Sequence, residues 1–468
     1  MKKISIKEIA EAVSGRLLYG DPALEVSSIT TDSREVPEQA LFIPIKGENA
    51  NGHRFLEGAV KNGALAVFSE EDALSEKLHE SYPETAVIAV KDTTAALQDL
   101  ARHVRFKMRM PAVGVTGSVG KTTTREMIST ALSAGLKVFR TEKNFNNWLG
   151  LPTTLLSMSD DDDIAVLELG MNVPGELGLI SSLTNLDAAV ITNIGQAHME
   201  FYGSKEKICR EKMTVTRGFV RGDGKQKRLF LNAQDPLLVK FRDLTGFPYT
   251  LYGYKKNAEY RAENVRHENG KTVFDLYIRN RYRLTASLSV LGDFNVLNAL
   301  AAFAVADYFH VDLDAAAVKL SEYTGFKGRL QQFFHKGIRI INDTYNASPV
   351  SMKGGLDVLE SLEDVRGRKI AVLGDMLELG PKSPAFHEEV GTYAASKKID
   401  ALYLLGERAV NIKAGAEAAG AVCEIRHFTD REELLTALKE TLSDGDAVYL
   451  KASNGMKLSE TAEGLLNL

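Results

Sequence analysis

Short apolar runs recur along this chain, each followed by a polar turn and then by apolar residues at helical spacing. That rhythm predicts parallel strands buried on both faces, with helices covering them. Residues 1–90 read as a helix over 6–14 capped by Ser5, a second helix over 56–62, and strands over 65–68 and 86–90. A helix over 95–107 then delivers the chain to a strand over 112–115 and a helix over 125–132. Further strands follow over 136–140, from 164 and from 188. Between 229 and 288 the apolar period changes to two, which predicts an antiparallel appendage on the parallel sheet. A helix opens near Asn295 and runs to about 309. Beyond it, strands over 338–341, 370–373, 402–405, 423–428 and 448–450 alternate with helices, predicting a separate doubly wound sheet. The expected fold class is α/β, in three segments: 1–90, 91–326 and 327–468.

Composition narrows the class. With 44% apolar and 25% charged residues the chain reads as soluble and globular, and a net charge of −5 without a long basic run gives nucleic acid no electrostatic footing. Cys209 and Cys423 lie far apart without ligand-like spacing, which points to a reducing compartment and away from a zinc site. Residues 1–10 lack a continuous apolar core and read as a folded amphipathic start, and no run is long enough to span a bilayer. A cytoplasmic protein is the expectation.

The sharpest chemistry lies in Pro111-Ala-Val-Gly-Val-Thr116-Gly117-Ser118-Val119-Gly120-Lys121-Thr122-Thr123-Thr124. Strand, glycine turn, Gly-Lys-Thr and helix together form a phosphate cradle, in which backbone N–H groups and the helix dipole converge on an anion. Lys121 is placed to neutralise a terminal phosphate and the Thr122 hydroxyl to ligate Mg²⁺. The common spacing wants glycine where Val115 stands, so a plain glycine-rich turn is the competing reading. ATP or a similar triphosphate is the expected ligand. Glu168 interrupts an apolar strand near its end, where a buried acid needs a partner, and Mg²⁺ is the expected one. His198 follows a strand terminus on the cradle side and reads equally as structural or catalytic. Asp32-Ser33-Arg34 is either a binding element or a turn closed by its own side chains. The stretches 343–349, 374–380 and 451–455 follow strands, at the edge where α/β sheets bind ligands.

Thr-Gly-Ser-Val-Gly-Lys-Thr-Thr, Leu-Glu168-Leu-Gly, Thr-Asn193-Ile with Ala-His198, and Asn295-Val-Leu-Asn298-Ala-Leu-Ala resemble the Mur ligases of peptidoglycan synthesis, in order and over the full chain. Asn144-Phe-Asn146-Asn147-Trp-Leu-Gly, Gly170-Met-Asn-Val-Pro-Gly-Glu, Asp343-Thr-Tyr345-Asn346-Ala-Ser-Pro and Gly374-Asp-Met-Leu-Glu-Leu-Gly are most similar to the member that adds D-alanyl-D-alanine. The Asp-Asn-Pro-Arg signature of the preceding, diamino-acid-adding ligase is absent.

The resemblance implies a small UDP-sugar domain, a central ATPase and a Rossmann-like third domain for the incoming dipeptide. It implies ATP-dependent joining of D-alanyl-D-alanine to UDP-N-acetylmuramoyl-tripeptide through an acyl phosphate, by a monomer. By motif match, Gly117, Ser118, Val119, Gly120, Lys121, Thr122 and Thr123 hold ATP phosphates, Asn295 and Asn298 lie on the adenine side, and Arg329 and Asp343 contact phosphate and ribose. Thr122, Glu168 and His198, with Lys212 as a carbamate, make the sites of two Mg²⁺ ions. The uridine-diphosphate pocket maps onto Ser33, Arg34 and the stretch with Lys46, Gly47, Asn51 and His53. Asn146, Asn147, Tyr345, Asn346, Lys451 and Ser453 are the remaining expected substrate contacts. Three positions depart from the family pattern: Thr214 replaces an acid, Phe294 a histidine and Asn51 an aspartate. Two other readings stay open: a related ligase acting on another muramyl peptide or a folate-type acceptor, and a nucleotide switch that ligates nothing.

Overall fold

The cradle strand Ala112–Thr116 lies inside a nine-stranded sheet, between Ile164–Glu168 and Ala188–Ile191. From it the chain runs to the sheet edge at Val138–Arg140, returns through Ile164–Glu168 and then crosses to Ala188–Ile191. Strand order therefore reverses at the C-terminal end of Ala112–Thr116, which is where a doubly wound sheet opens a crevice for ligands. The computed structural model describes residues 3–47, 51–142, 144–196, 198–220, 224, 226–268 and 270–467, without the side chains of residues 72 and 73. Residues 48–50, within the expected sugar pocket, and 197, in the Ala-His198 motif, lie outside the described residues.

The appendage is shorter than the periodicity suggests. Arg228–Asn232, Tyr249–Gly253 and Tyr260–Glu268 continue the parallel sheet, and only beyond them does the pairing turn antiparallel, through Lys271–Ile278 and Arg281–Leu288. The reason is burial: Leu229, Phe230 and Leu231 are covered on both faces, whereas alternation sets in only where one face meets solvent.

Two smaller sheets flank this one. The first is ordered Arg16–Tyr19, Ala86–Ala89, Ala66–Ser69, Ala40–Phe42, Ser28–Thr30, parallel except for its first strand. The other has six strands, ordered Gln331–His335, Ile338–Asn342, Ala447–Lys451, Lys369–Gly374, Ala401–Leu405, Glu424–Phe428. Its edge strand Gln331–His335 is antiparallel and polar, so no apolar run announces it. The helix Asp72–Ser81 was likewise not foreseen in the sequence.

One hydrophobic core runs from the first domain into the second. Ile9, Phe68, Leu97, Leu100, Leu151 and Leu167 belong to the same buried cluster, with helix Thr93–Lys107 as the common wall. The third domain builds separate cores on the two faces of its own sheet and joins the rest through residues 323–330. No helix among the described residues is long and apolar enough to cross a membrane.

Helices Ser383–Ala395 and Val410–Ala418 of the third domain cross backbone to backbone. A Cβ on Gly391 would stand 1.9 Å from the Ile412 carbonyl oxygen, and one on Gly415 2.2 Å from that of Glu388. Gly391→Ala therefore forces the helices apart and is expected to cost about 1–3 kcal/mol. A lowered thermal midpoint in calorimetry, beside an unchanged one for the exposed control Val422→Ala, is the check.

Candidate active site

The cradle is held in shape by contacts within the chain. Gly117, at φ +153, lies so close to the neighbouring strand that a Cβ would meet Thr192 Oγ1 at 1.9 Å. Gly120, at φ +84, takes the left-handed turn that starts helix Lys121–Leu132. The end of strand Ala188–Ile191 splints the loop. Asn193 accepts from Val119 N at 2.9 Å and donates back to Val119 O at 2.9 Å, its carbonyl takes Ser118 N at 3.0 Å, and the Thr192 hydroxyl donates to Val119 O at 2.6 Å. No side chain caps the helix, so its first N–H groups face the crevice. That arrangement fits a bound polyphosphate.

The electrostatics make the same demand. Lys121 Nζ donates to Gly117 O at 2.9 Å, and burial lowers its pKa, with Glu168 opposing and Arg329 adding to the fall. Lys212 is 1% exposed; its Nζ has Met171 Sδ at 3.6 Å as hydrogen-bond partner, and burial together with Lys121 pushes its pKa well below the usual lysine value. His198, at φ +61, is driven down to about 3 by burial, Lys121 and Lys212, so it is neutral and keeps a lone pair. Among the described residues its Nδ1 is buried without a partner, as are Ser118 Oγ and Arg329 Nε. Each such orphan costs about 1–3 kcal/mol, a debt that a bound anion or cation can discharge.

Glu168 supplies the main buried negative charge, and it is already engaged. Its Oε1 accepts from Asn146 Nδ2 at 2.7 Å and its Oε2 lies 3.3 Å from Arg125 Nη1. Arg125, 1% exposed on its side chain, also pairs with Glu126, and its guanidinium lies 5.6 Å from the centre of the Phe326 ring in the interdomain segment. Among the described residues no three His, Cys, Asp or Glu side chains assemble into a metal site on their own. The Thr122 hydroxyl and the Glu168 carboxylate are nonetheless oxygen donors of the right hardness for Mg²⁺ when phosphate oxygens complete the set, and His198 adds a neutral nitrogen beside them.

The third domain closes the crevice. Arg329 Nη2 donates to Thr122 Oγ1 at 3.3 Å, and the guanidinium lies 4.1 Å from the Tyr345 ring centre. Two cavities meet at this arginine. One, of about 460 Å³, is lined by Asn295, Asn298, Phe294, Tyr252, Tyr323 and Thr123, a mostly apolar slot of the kind that takes a nucleobase. The other, of about 370 Å³, is polar and carries Lys121, Glu168, Asn146, Asn147, His198, Tyr345, Asn346 and Ser453.

Several expected contacts have structural duties. Asn298 accepts from Thr124 Oγ1 at 2.9 Å and donates to Asn295 at 2.8 Å. Asp343 holds the buried Lys451 at 2.6 Å and accepts from Tyr449, while the Lys451 ammonium also reaches Asn346 O at 2.9 Å. Asn147 accepts from Gly150 N at 2.7 Å at the start of helix Gly150–Leu156. The sugar-pocket candidates gather elsewhere. Lys46 pairs with Glu70; Glu70 N donates to His53 Nε2 at 3.1 Å; His53 Nδ1 donates to Asn51 Oδ1 at 2.9 Å; and Glu70 accepts from Thr93 N at 2.8 Å. Gly47 adjoins this network. Arg34 is engaged by Asp32 through two contacts, at 2.9 and 2.6 Å, with Ser33 O accepting from Asn62 Nδ2, so the segment is a turn closed by its own side chains. Glu70, Asn193 and Arg125 were not singled out as site residues in the sequence, since their roles depend on partners remote along the chain.

The loop 375–380 bounds the polar cavity and is strapped from behind. Met376 N donates to His387 Nε2 at 3.0 Å, His387 Nδ1 donates to Ser383 O at 2.7 Å, and Leu377 N donates to Ser453 Oγ at 2.9 Å. This strap needs a neutral imidazole, and burial lowers the His387 pKa below its ordinary 6.5. Below 6.5 the unfolded chain therefore binds a proton that the folded chain refuses. The contribution is complete above 6.5 and declines as pH falls beneath it. Thermal midpoints of the ligand-free protein between about pH 7.5 and 5 should fall more steeply for the wild type than for His387→Gln.

Comparison with known proteins accords with this geometry. Three family descriptions match successive parts of the chain: "Mur ligase family, catalytic domain" over 25–105, "Mur ligase middle domain" over 115–306 and "Mur ligase, glutamate ligase domain" over 328–454. The UDP-N-acetylmuramoyl-tripeptide--D-alanyl-D-alanine ligase of Bacillus subtilis is 40% identical over 473 residues, covering 100% of this chain and 99% of its own. A crystal structure of MurF from Acinetobacter baumannii superposes with a TM-score of 0.89 at 27% identity, covering 100% of both chains. That of MurF from Thermotoga maritima in complex with ADP gives 0.82 at 27% identity, over 94% of this chain and 97% of the other. A splinted phosphate cradle, a third domain that reaches it through one arginine, and likeness from end to end have one explanation: the chain belongs to the Mur ligase family.

Proposed function

We propose that the chain joins D-alanyl-D-alanine to UDP-N-acetylmuramoyl-tripeptide with conversion of ATP to ADP and phosphate. The carrying observation is the pair of cavities meeting at Arg329, one suited to a nucleoside and the other to a polar, anionic reaction centre. A free carboxylate resists an amine because oxide is not a leaving group. Transfer of the γ-phosphoryl group to that carboxylate makes an acyl phosphate, and phosphate then departs as the amine attacks. Lys121, Arg329 and the helix N-terminus offset the negative charge collected in the first step. The segment 323–330 lets the third domain close on the cradle and exclude water.

In this reading Asn295 and Asn298 face the adenine, Gly117 to Thr123 the phosphates, and the Lys46–Glu70–His53 network the uridine diphosphate. Thr122, Glu168, His198 and a carbamylated Lys212 would hold two Mg²⁺ ions, which would supply charge neutralisation on the transferred phosphoryl group. Lys212 suits carbamylation for a physical reason. Burial and the nearby Lys121 favour its neutral amine, the form nucleophilic toward CO₂, and the product would be an anion beside Lys121. A cytoplasmic monomer, as the sequence led us to expect, belongs to the same reading.

Phosphate release from ATP should require both the UDP-muramyl tripeptide and D-alanyl-D-alanine, with the mass of a UDP-pentapeptide appearing. Release indifferent to the dipeptide would point to another acceptor or to the switch. Comparing tripeptides that carry diaminopimelate or lysine ranks the third residue. For Lys212, depletion of CO₂ should lower activity and bicarbonate restore it, with a carbamate carbonyl resonance in ¹³C NMR after labelled bicarbonate. Lys212→Arg should show neither the resonance nor the rescue.

A further inference from the structure

The polar cavity contains a carboxylate that the scheme above does not use. Apart from Glu168, Glu378 is the acid lining it, contributed by the loop 375–380 of the third domain. Glu168 is committed to Arg125 and Asn146. The Glu378 side chain is exposed and has no hydrogen-bond or ion-pair partner among the described residues. Its backbone, at φ +61, stands in the left-handed region that non-glycine residues rarely enter. The strap from His387 and Ser453 holds it there, two residues after Met376 and one after Leu377. Farther along the loop, a Cβ on Gly380 would lie 3.2 Å from Glu200 Cβ, so the loop rests on helix Met199–Tyr202, which begins directly after His198. An uncommitted acid is thus fixed in a strained conformation on the wall of the reaction cavity. Strain of this kind persists where the surroundings impose it, and it gathers at functional sites.

The incoming dipeptide poses a chemical problem that this acid solves. At neutral pH its α-amino group is largely an ammonium, with a pKa near ~8, and an ammonium has no lone pair with which to attack. The other charged groups on the cavity wall are Lys121 and Arg329, which repel a cation, and the occupied Glu168; His198 is neutral. We infer that the Glu378 carboxylate docks the ammonium of the incoming dipeptide and accepts its first proton before attack. This rests on the ligase reading given above. The step balances. One N–H proton passes to Glu378, the nitrogen lone pair forms the N–C bond, and the C–O bond to the phosphoryl group breaks. A second N–H proton leaves with the departing phosphate as hydrogen phosphate. Glu378 returns its proton to water when the product leaves.

The test compares Glu378→Gln and Glu378→Asp with the wild type in dipeptide-dependent phosphate release. Wild-type release that ignores the dipeptide removes the underlying reading, and is seen before any variant is made. Given a dipeptide-dependent wild type, Glu378→Gln should raise KM for D-alanyl-D-alanine about ten- to hundredfold and lower kcat, from loss of a charge-assisted contact and of a general base. KM for ATP and for the UDP substrate should stay within about twofold, the split expected when only the second substrate is affected. Glu378→Asp should recover part of the loss. The pH profile gives an independent readout. In Glu378→Gln, kcat/KM for the dipeptide should climb about tenfold per pH unit up to the pKa of the free amine, while the wild type stays flatter over the same range. Wild-type KM, kcat and pH profile in Glu378→Gln would overturn the proposal. So would parallel losses for ATP, UDP substrate and dipeptide with a lowered thermal midpoint, which would assign Glu378 to the shape of the loop.

Discussion

Uncompensated positive charge at a helix N-terminus is the constraint on which the site depends. Lys121, Lys212 and Arg329 converge there beside backbone N–H groups, while Glu168, the buried acid of the polar cavity, is already claimed by Arg125 and Asn146. Burial of unpaired cations is costly, and the protein meets that cost by depressing the pKa values of Lys121 and Lys212 and leaving His198 neutral. Such a pocket is unfinished on its own. Its electrostatic complement is a polyphosphate with hard cations.

The architecture serves this cleft unevenly. The first two domains share one core, whereas the third is tied on by residues 323–330 and reaches the cradle through Arg329. Rigid elements set the cradle: a strand end splints the glycine loop through Asn193, and helix Lys121–Leu132 is pinned through Thr124 to Asn298. Loops of the third domain supply Tyr345, Asn346, Glu378 and Ser453 to the opposite wall. Tight phosphate geometry on one side and a movable wall on the other suit a reaction with three substrates and two chemical steps.

Much of this was legible in the residues. The cradle announces itself because its chemistry is local: glycine spacing, Gly-Lys-Thr and a strand before a helix all lie within a few residues. The three-domain α/β plan followed from the alternation of apolar runs and helical spacing. Where periodicity misled, burial explains it. Arg228–Asn232 and Tyr249–Gly253 are covered on both faces and carry no alternation of their own, so they merged with the truly antiparallel strands that follow. Gln331–His335 is a mostly polar edge, joined to its neighbour by the antiparallel ladder and by Arg339 donating to Gln332, a partner that no apolar run announces. Arg125 and Glu70 escaped notice because each acts on a residue far away in sequence, and Asn193 stood out as part of a motif without its role as the splint of the glycine loop. Asp32-Ser33-Arg34 closes a turn with its own side chains and keeps Arg34 at the surface, a local geometry compatible with either reading.

The Phe326 ring over Arg125 has a wider meaning. It belongs to the segment that joins the second and third domains, yet it forms part of the cover over the Arg125–Glu168 pair. The strength of that pair varies inversely with the local dielectric constant, which rises steeply once water enters. Rotation of the third domain that lifts Phe326 would wet the pair and weaken it, and closure would dry and strengthen it. Domain position and the effective charge presented by Glu168 are therefore two expressions of one coordinate, with an aromatic ring as the dielectric shutter between them.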